Sequence, residues 1–407
     1  MGRVIGVDLH PESIYAVITD LPAGEAECVE FAIDEKALQA FENQLRPDDR
    51  IAIEATTNAY YFHDRWQPLV AEVAVANPVK LRPWLGDADK SDRYDAAWLA
   101  ILHYFGCLPQ IYVPGPETRE DRDLVALYSA LMNERTRIKN GIRSFLIKKG
   151  LANPASDLQQ KDARDLVIRQ CARLGESAKV ILNSRLAALD SVEARLETVR
   201  PLVTRRAMDR PETPLLLTVP GIEVLMALVI MATIDNIDRF PKPGSLVKYS
   251  GLVPREKSSA GKVHRGGVKR TGSKALRWAA TQAALTAIKQ PGTLRDLYRR
   301  LIRKGHNVAI CACARKLLTI VWHILTKKEP FQETPPASQK RKEARIKRKV
   351  AKAKELLPER RVVLENLLKH APQLKELAGV RHGLPLSLRP VSWRGPAKSP
   401  KPNGNST

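Results

Sequence analysis

Four acidic residues in the first hundred positions have the types and spacing of a cation site. Asp8 and Glu54 each end a short apolar run, and Asp92 and Asp95 begin a stretch whose apolar residues recur at helical spacing. An acid at the carboxyl end of a buried strand points into the crevice where open α/β sheets bind ligands. Acids three residues apart share one face of a helix. Because four converging carboxylates repel one another, we expect Mg²⁺ between them, and Mg²⁺ indicates phosphate chemistry.

A second chemical cluster, in residues 250–277, combines small residues with many cations. Glycines allow a backbone to approach a phosphate closely. The residues that could neutralise such a phosphate are Arg255, Lys257, Lys262, His264, Arg265, Lys269, Arg270, Lys274 and Arg277. Ser258 or Ser259 could attack phosphorus there, because neighbouring cations stabilise an alkoxide and a charged transition state. The alternative is a basic loop that only binds the nucleic-acid backbone, with both serines as neutral hydrogen-bonding groups.

Charge is unevenly distributed along the 407 residues, whose formal net charge is +23. Residues 1–113 carry 9 Lys and Arg against 18 Asp and Glu, and the remainder carries 58 against 26. An acidic N-terminal part that binds metal, followed by a basic part that binds phosphate, is typical of a nucleic-acid enzyme. The alternative is a merely soluble basic protein.

The tail contains a dense basic run that includes Lys340, Arg341, Lys342, Arg345, Lys347, Arg348 and Lys349. It would be a helix along a nucleic-acid backbone or a flexible arm, and a solvated charged face is the alternative. Five scattered cysteines indicate a reducing compartment. No signal-peptide pattern is evident, and the longest apolar stretch, 224–234, is too short to span a bilayer, so we expect no membrane partner.

The periodicity predicts strands over 4–8, 14–19, 28–33, 51–54, 70–76 and 111–113 in the first part of the chain. Helices are predicted around 38–45, 60–68 and 92–105. Three successive strands followed by alternating helices and strands resemble the ribonuclease H-like architecture. We therefore assign residues 1–116 to one α/β domain.

The later parts of the chain are predicted to be mostly helical. Residues 117–209 carry two near-heptad apolar stripes, which indicate an antiparallel helical hairpin or an oligomerising coiled coil. Residues 210–330 open with segment 218–222, either a helix-hairpin-helix element whose N–H groups meet a phosphate or a plain Pro-Gly turn. Residues 331–407 form the basic tail, predicted to be disordered after about 385.

Several short motifs, in a fixed order, resemble the DEDD transposases of bacterial insertion sequences, which are relatives of the Piv-type site-specific DNA invertases. The resemblance covers residues 1 to about 325. The motifs that carry it are Gly6-Val7-Asp8, Glu54-Ala55-Thr56, Asn77-Pro78, residues 90–96, Val219-Pro220-Gly221-Ile222, residues 249–255, Ser258-Ser259-Ala260-Gly261-Lys262 and residues 269–273. Two positions depart from the family pattern, since Ala260 and the pair Thr57-Asn58 stand where glycine is usual.

The resemblance implies an α/β plus all-α fold: a RuvC-like N-terminal domain, a coiled-coil insertion and a C-terminal transposase domain. It implies that the four acids bind Mg²⁺ and that Ser259 is a catalytic serine, with Ser258 as the alternative. It further implies a structured RNA, encoded by the mobile element, that pairs with donor and target DNA. A bacterial, cytoplasmic, nucleoid-associated location follows from the same resemblance.

The expected function is excision and insertion of a mobile element by Mg²⁺-dependent strand exchange through a covalent serine–DNA intermediate. The partners would be donor and target DNA, the guide RNA and further copies of the chain, as a dimer of dimers. One alternative is a RuvC-like nuclease or Holliday-junction resolvase that uses water. A second is a non-catalytic nucleic-acid scaffold.

Overall fold

The chain forms two compact units, Met1–Pro114 and Gly115–Thr407. The computed structural model describes residues 2–20, 26–85, 91–154, 157–259, 262–268, 271–332 and 336–356. The first unit is built on a five-stranded mixed sheet, and the second consists mostly of helices, so the expected α/β plus helical layout is confirmed. The four-part domain division stays a prediction.

The elements of the first unit are β1 (Val4–Leu9), β2 (Ser13–Thr19), β3 (Ala26–Ala32), α1 (Glu35–Glu42), β4 (Arg50–Glu54), α2 (Ala59–Trp66), β5 (Glu72–Ala76), α3 (Pro78–Leu85) and α4 (Asp92–Tyr104). The sheet order is β3-β2-β1-β4-β5. Strands β1, β2 and β3 pair antiparallel, whereas β1, β4 and β5 pair in parallel, with Val7 opposite Ile53. The carboxyl ends of β1 and β4 therefore meet at one edge of the sheet.

The two faces of this sheet carry side chains of very different size, because successive residues of a strand point to opposite faces. One face packs large side chains of the strands against Phe41, Phe62 and Trp66 of α1 and α2. The other carries small residues such as Gly6 and Ala52, and α4 packs there.

Most predicted elements of the first unit are confirmed, with ends shifted by a few residues. The strand predicted over 111–113 is wrong, because the chain around it joins the sheet only through an isolated bridge between Ala76 and Gln110. Proline has no backbone N–H to donate, and Pro109 and Pro114 bracket this short segment. Helix α3 is missing from the prediction; the Asn77 carboxamide oxygen accepts hydrogen bonds from the amides of residues 79 and 80 at its start.

The elements of the second unit are α5 (Pro116–Lys148), α6 (Lys161–Cys171), α7 (Glu176–Asp209), α8 (Thr213–Leu216), α9 (Val224–Ile234), α10 (Pro243–Tyr249), β6 (Pro254–Ser259), β7 (Lys262–Val268), α11 (Lys274–Ala287), α12 (Thr293–Leu301), α13 (His306–Lys327) and α14 (Pro336–Leu356). Two 3-10 turns, Ile237–Arg239 and Ile302–Lys304, complete them.

The two apolar stripes form the long helices α5 and α7, which pack antiparallel in one chain. Leu131 packs with Val192 and Leu196, and Ile142 packs with Leu182, so the contacts run in opposite directions along the two helices. The helical-hairpin interpretation is therefore the observed one, and oligomerisation through these helices stays a prediction.

Helix α13 is long and apolar enough to cross a membrane by length and composition, and 56% of its most apolar window is buried inside the unit. Its residues Leu317, Leu318 and Val321 belong to the core shared with α9 and α11. A mostly buried core helix of this kind is weak evidence for a membrane span.

Candidate active site and nucleic-acid surfaces

Asp8 and Glu54 lie at the same level of the sheet and on the same face. Asp8 follows Val7 in β1, and Glu54 follows Ile53, the residue paired with Val7 in the neighbouring parallel strand. The alternation along each strand directs Val7 and Ile53 into the large-residue core, so both acids belong to the face that packs against α4. The predicted meeting of two acids at the strand ends is therefore consistent with the register.

Helix α4 reaches this face because β1 has no side chain at Gly6. A methyl group at Gly6 would lie 2.7 Å from the amide nitrogen of Ala100 and closer still to the carbonyl oxygen of Ala96. Only glycine permits two backbones to approach this closely. Asp92 lies one turn before Ala96 on α4, so the contact brings the start of the helix to the end of β1.

The first turn of α4 holds the other two acids, and its geometry is fixed locally. The Ser91 hydroxyl accepts a hydrogen bond from the Tyr94 amide at 3.2 Å, which makes Ser91 the helix N-cap. Asp92 is exposed and Asp95 is half-buried. Acidic residues in a first helical turn are stabilised by the helix dipole, which provides a purely structural role for both of them.

A histidine that the sequence reasoning missed completes the cluster. The His10 Nε2 atom lies 3.4 Å from Asp8 Oδ2 and 3.2 Å from Asp92 Oδ2. One donor atom from each of these three residues lies within 4.8 Å of the others. The signal was the spacing Asp-x-His, because residues two apart in an extended segment share a face.

Burial and the neighbouring charges change the pKa of Asp8. Burial raises the pKa of Asp8, and the charges of Asp92 and Asp95 raise it further, whereas His10 opposes the shift. An ionised Asp8 is therefore costly without a cation nearby. Asp8, His10 and Asp92 form the close cluster, and Asp95 influences Asp8 through its charge.

The chain between β4 and α2 is tied to the chain after β1. The Asn58 side-chain amide donates to the His10 carbonyl oxygen at 3.2 Å, and the Asn58 side-chain oxygen accepts from the Thr56 hydroxyl at 2.9 Å. The His10 amide in turn donates to the Ser13 carbonyl at 3.0 Å. Asn58, at a position that departs from the family pattern, thus links the segment after Glu54 to the one after Asp8.

The donor set fits a divalent cation. Carboxylate oxygens are the ligands that Mg²⁺ prefers, and neutral imidazole binds divalent transition metals. The His10 Nε2 atom is enclosed and has no hydrogen-bond partner among the described residues, although the Asp8 and Asp92 carboxylates lie 3.4 and 3.2 Å away. A cation would satisfy this atom and neutralise the acids around it.

The predicted serine loop is a β-hairpin in its described part, so the interpretation as an irregular loop is wrong. Strands β6 and β7 pair antiparallel, with Ser258 opposite Val263 and Ser259 opposite Lys262. Their many charged residues hide the strand signal, because charged residues are uncommon in strands. The side chains of both serines and of Arg255, Lys257, Lys262, His264 and Arg265 lie outside the described part, as do residues Lys269 and Arg270.

The two ends of the hairpin are anchored in the unit. Leu252, just before β6, is buried in the core. The Ser273 amide donates to the Tyr249 carbonyl oxygen at 2.8 Å, and a methyl group at Gly272, where φ is +123°, would overlap the Tyr249 backbone. Ser273 then caps α11. The hairpin that carries the candidate nucleophile therefore has a fixed base.

Two further predicted phosphate-binding residues follow the hairpin on α11. Lys274 is exposed, whereas Arg277 is half-buried and donates to the Ser250 carbonyl oxygen at 3.0 Å. Arg277 thus has a structural role at the end of α10, and its contact with nucleic acid stays a prediction.

The described part of the basic tail, α14, is an amphipathic helix docked on its own unit. Ile346, Val350 and Ala353 are buried and spaced by one helical turn. On the flanks, Arg345 and Lys349 pair with Glu223 of the α9 N-cap, and Lys352 pairs with Glu197 of α7 at 2.9 Å. Four further cations of the helix are exposed, and we refer to them as its outer face: Lys340, Arg341, Lys347 and Arg348.

Lys342 reaches inward from α14 to the turn 218–222. Its Nζ atom donates to the Val219 carbonyl oxygen at 2.7 Å, and burial lowers the pKa of Lys342 to about 7. Gly221, with φ at +87°, is buried, and a methyl group there would overlap the backbone of Ala283 in α11. This burial favours the plain Pro-Gly turn over a turn that offers its amides to a phosphate.

The known proteins to which this chain is similar are described as transposases. Residues 213–299 match the family model described as "Transposase IS116/IS110/IS902 family". The chain is 25% identical over 291 residues to "Transposase for insertion sequence element IS1111A" of Coxiella burnetii, which covers 69% of this chain and 79% of that protein. It is 24% identical over 300 residues to "Transposase for insertion sequence element IS1328" of Yersinia enterocolitica, with 70% and 85% covered.

A third relative is "Probable family 20 transposase" of Pseudomonas aeruginosa, 22% identical over 297 residues, with 70% of this chain and 86% of that protein covered. The family match lies within the second unit and spans the hairpin β6–β7. The chain is thus similar to insertion-sequence transposases over about 70% of its length, and its residues 213–299 match their family model.

Proposed function

We propose that the chain excises and inserts a mobile element by metal-dependent strand exchange at DNA phosphates. The observation that carries this proposal is the convergence of Asp8 and Asp92 at the ends of β1 and α4, with Glu54 in register on the adjacent strand. A sheet order of β3-β2-β1-β4-β5 supports a ribonuclease H-like, RuvC-like first unit. A Mg²⁺ ion bound by the acids would polarise a phosphate that it contacts.

The strand chemistry is assigned to Ser259. Its hydroxyl oxygen bonds to phosphorus, the bond from phosphorus to one DNA oxygen breaks, and the serine proton passes to that oxygen. A hydroxyl of another strand then bonds to the same phosphorus, and the serine leaves and regains a proton. Each step exchanges one phosphoester for another, so no ATP is consumed. The cations of the hairpin β6–β7 supply the charge that stabilises these transition states.

The partners in this proposal are donor DNA, target DNA and a structured RNA encoded by the element. Pairing of the RNA with both DNAs would carry the sequence choice, as base pairing does in other RNA-guided systems. Recombination of two duplexes calls for several copies of the chain, and we propose a dimer of dimers. The long hairpin of α5 and α7 and the basic helix α14 are the surfaces available for assembly and for phosphate contacts.

A metal-dependent nuclease or junction resolvase is the second candidate. The observation that favours it is that Asp8, Glu54, Asp92 and Asp95 all belong to the first unit, so hydrolysis by water requires no group from the second. The two functions differ in one product, because only the strand-exchange route leaves the protein covalently attached to DNA.

The deciding experiment incubates the full-length chain with Mg²⁺ and DNA carrying the element's ends, with or without the element-derived RNA, and then denatures the mixture. We expect a protein–DNA adduct that Ser259→Ala abolishes and that Ser258→Ala, the neighbouring serine in the same strand, retains. Asp8→Ala should abolish both adduct and exchange. An adduct retained by Ser259→Ala would move the nucleophile, first to Ser258, and cleavage without any adduct would favour the nuclease.

A further inference from the structure

His10 lies within the acid cluster, although a site made of the four carboxylates alone gives it no role. We propose that His10 is a direct ligand of the catalytic cation through Nε2, so that the site is a mixed nitrogen and oxygen site that prefers Mn²⁺ to Mg²⁺. This inference rests on the proposed metal-dependent function and adds a ligand and a metal preference to it.

His10 has the position of a ligand. The Nε2 atom lies between Asp8 Oδ2 and Asp92 Oδ2, at 3.4 and 3.2 Å. Two donors that bind one ion at about 2.0–2.2 Å lie at most about 4.4 Å apart, and the separations of Nε2 from both carboxylate oxygens are within that limit. His10 therefore stands where a ligand of the same ion must stand.

The Nε2 nitrogen of His10 is also unsatisfied. A buried polar nitrogen without a hydrogen bond has lost its hydration without compensation, so such atoms call for a specific explanation. The His10 Nε2 atom is of this kind among the described residues, although two carboxylates lie beside it. Coordination to a cation uses the nitrogen lone pair and removes the cost, whereas a solvent-facing histidine would leave this atom in water.

Hydrogen bonds also hold the backbone of His10 in place. The His10 carbonyl accepts from the Asn58 side chain at 3.2 Å, and the His10 amide donates to Ser13 at 3.0 Å. Both bonds fix the segment directly after Asp8. Asn58 is thus a positioning residue, and Asn58→Ala should weaken metal binding while the imidazole remains coordinated.

The metal preference follows from ligand chemistry. Mg²⁺ is a hard ion that binds oxygen and keeps several of its waters, whereas Mn²⁺ suits carboxylates too but belongs to the first-row transition series whose members bind sites with nitrogen ligands. A site of acids alone would differ little between the two ions in ligand type. With His10 as a ligand, the affinity for Mn²⁺ gains more than the affinity for Mg²⁺.

The experiment measures metal binding by the full-length chain in the absence of DNA. Isothermal titration gives the affinities for Mn²⁺ and Mg²⁺, and pulsed EPR of bound Mn²⁺ detects a coordinated imidazole nitrogen directly. His10→Gln is compared with His63→Gln, a matched control in α2 of the same unit, where His63 Nδ1 lies 3.0 Å from the Asp64 carboxylate. Asp8→Asn tests the acid cluster itself.

We expect a nitrogen coupling in the wild type and in His63→Gln that is lost in His10→Gln. The Mn²⁺ affinity of His10→Gln should fall by roughly tenfold or more, the scale found when a metal site loses a supporting group, and its Mg²⁺ affinity should fall less. Labelling histidine alone with ¹⁵N should change the coupling in the wild type, which tests the ligand without any variant.

The outcomes separate this inference from the proposed function. Binding of Mn²⁺ that Asp8→Asn abolishes, without a nitrogen coupling and without loss in His10→Gln, overturns the His10 ligand and leaves the acid site intact. No binding of either ion to the wild type overturns both the His10 ligand and the metal-dependent function.

Discussion

Replacing Gly6 with alanine should damage the fold of the first unit and its acid cluster together. The added methyl group would lie 2.7 Å from the Ala100 amide nitrogen and nearer to the Ala96 carbonyl oxygen. Ordinary contacts are about 3.5–4.0 Å, so α4 would have to retreat by roughly 1 Å or more. The atoms in the way are backbone, and no rotamer change or side-chain truncation relieves the overlap.

The magnitude follows from the two consequences of that retreat. Overpacking of this kind costs about 1–3 kcal/mol, and each kcal/mol lowers the melting temperature by about 4–8 °C in a domain of roughly this size. A displacement of about 1 Å can cost a precisely arranged site a factor of about 100, so the metal affinity should fall by at least tenfold. Asp92 and Asp95 would move with the helix.

The assays are thermal unfolding with and without Mn²⁺, and a Mn²⁺ titration. Gly115→Ala is the matched control, because a methyl group there meets open space and φ is −59°. If Gly6→Ala matched Gly115→Ala in both melting temperature and metal affinity, the close packing of α4 on β1 would not be what positions the acids.

Three further predictions concern charge. Asp8→Asn should stabilise the metal-free protein at pH 7 by about 0.5–2 kcal/mol, measured by thermal unfolding with chelator, because the pKa of Asp8 is raised in the fold. This gain in stability should vanish near pH 3, where Asp8 is protonated in both states. Destabilisation of Asp8→Asn at pH 7 would contradict the prediction. Neutralising the outer face of α14 should reduce the salt slope of duplex DNA binding by about 2 to 4, at about 0.9 per phosphate contact. The residues to replace by alanine are Lys340, Arg341, Lys347 and Arg348, and the control set that should leave the slope unchanged is Arg345, Lys349 and Lys352. Burial lowers the pKa of Lys342 to about 7, so the unfolded chain binds more protons than the folded one between pH 7 and pH 10. The free energy of unfolding of the wild type relative to Lys342→Met, measured in urea, should therefore rise over this range by at most about 1.4 kcal/mol per pH unit. A difference that does not depend on pH would place the Lys342 amine in water.

The sequence predicts the acid-bearing elements well because their signals are local. Apolar runs that end in Asp8 and Glu54 are short buried strands, and the stretch that begins at Asp92 has both helical periodicity and a serine N-cap. The relative position of the two acids depends on the register of β1 and β4, which places Asp8 level with Glu54. Neither apolar run alone determines that register.

The elements that escaped prediction are those whose role is set by distant packing. The only local signal for His10 is its spacing from Asp8, and its contact with Asp92 depends on the approach of α4 to β1 at Gly6. The basic tail has the pattern of a uniform charged run, yet Glu223 and Glu197 pair with three of its cations, Arg345, Lys349 and Lys352. Neither partner is near the tail in sequence.

The two faces of the sheet divide stability from chemistry. On the face towards α1 and α2, Trp66 lies 5.5 Å from Phe41 and 4.9 Å from Phe62, measured between ring centroids, and these three are the largest fully buried side chains of the described residues. On the other face, small residues contribute little burial but permit backbone contact. Small residues bury little apolar surface and stabilise this face weakly. Their effect is that α4 can approach β1 closely, which brings its first turn near Asp8. Burial of the large side chains on the face towards α1 and α2 stabilises the sheet that carries Asp8 and Glu54.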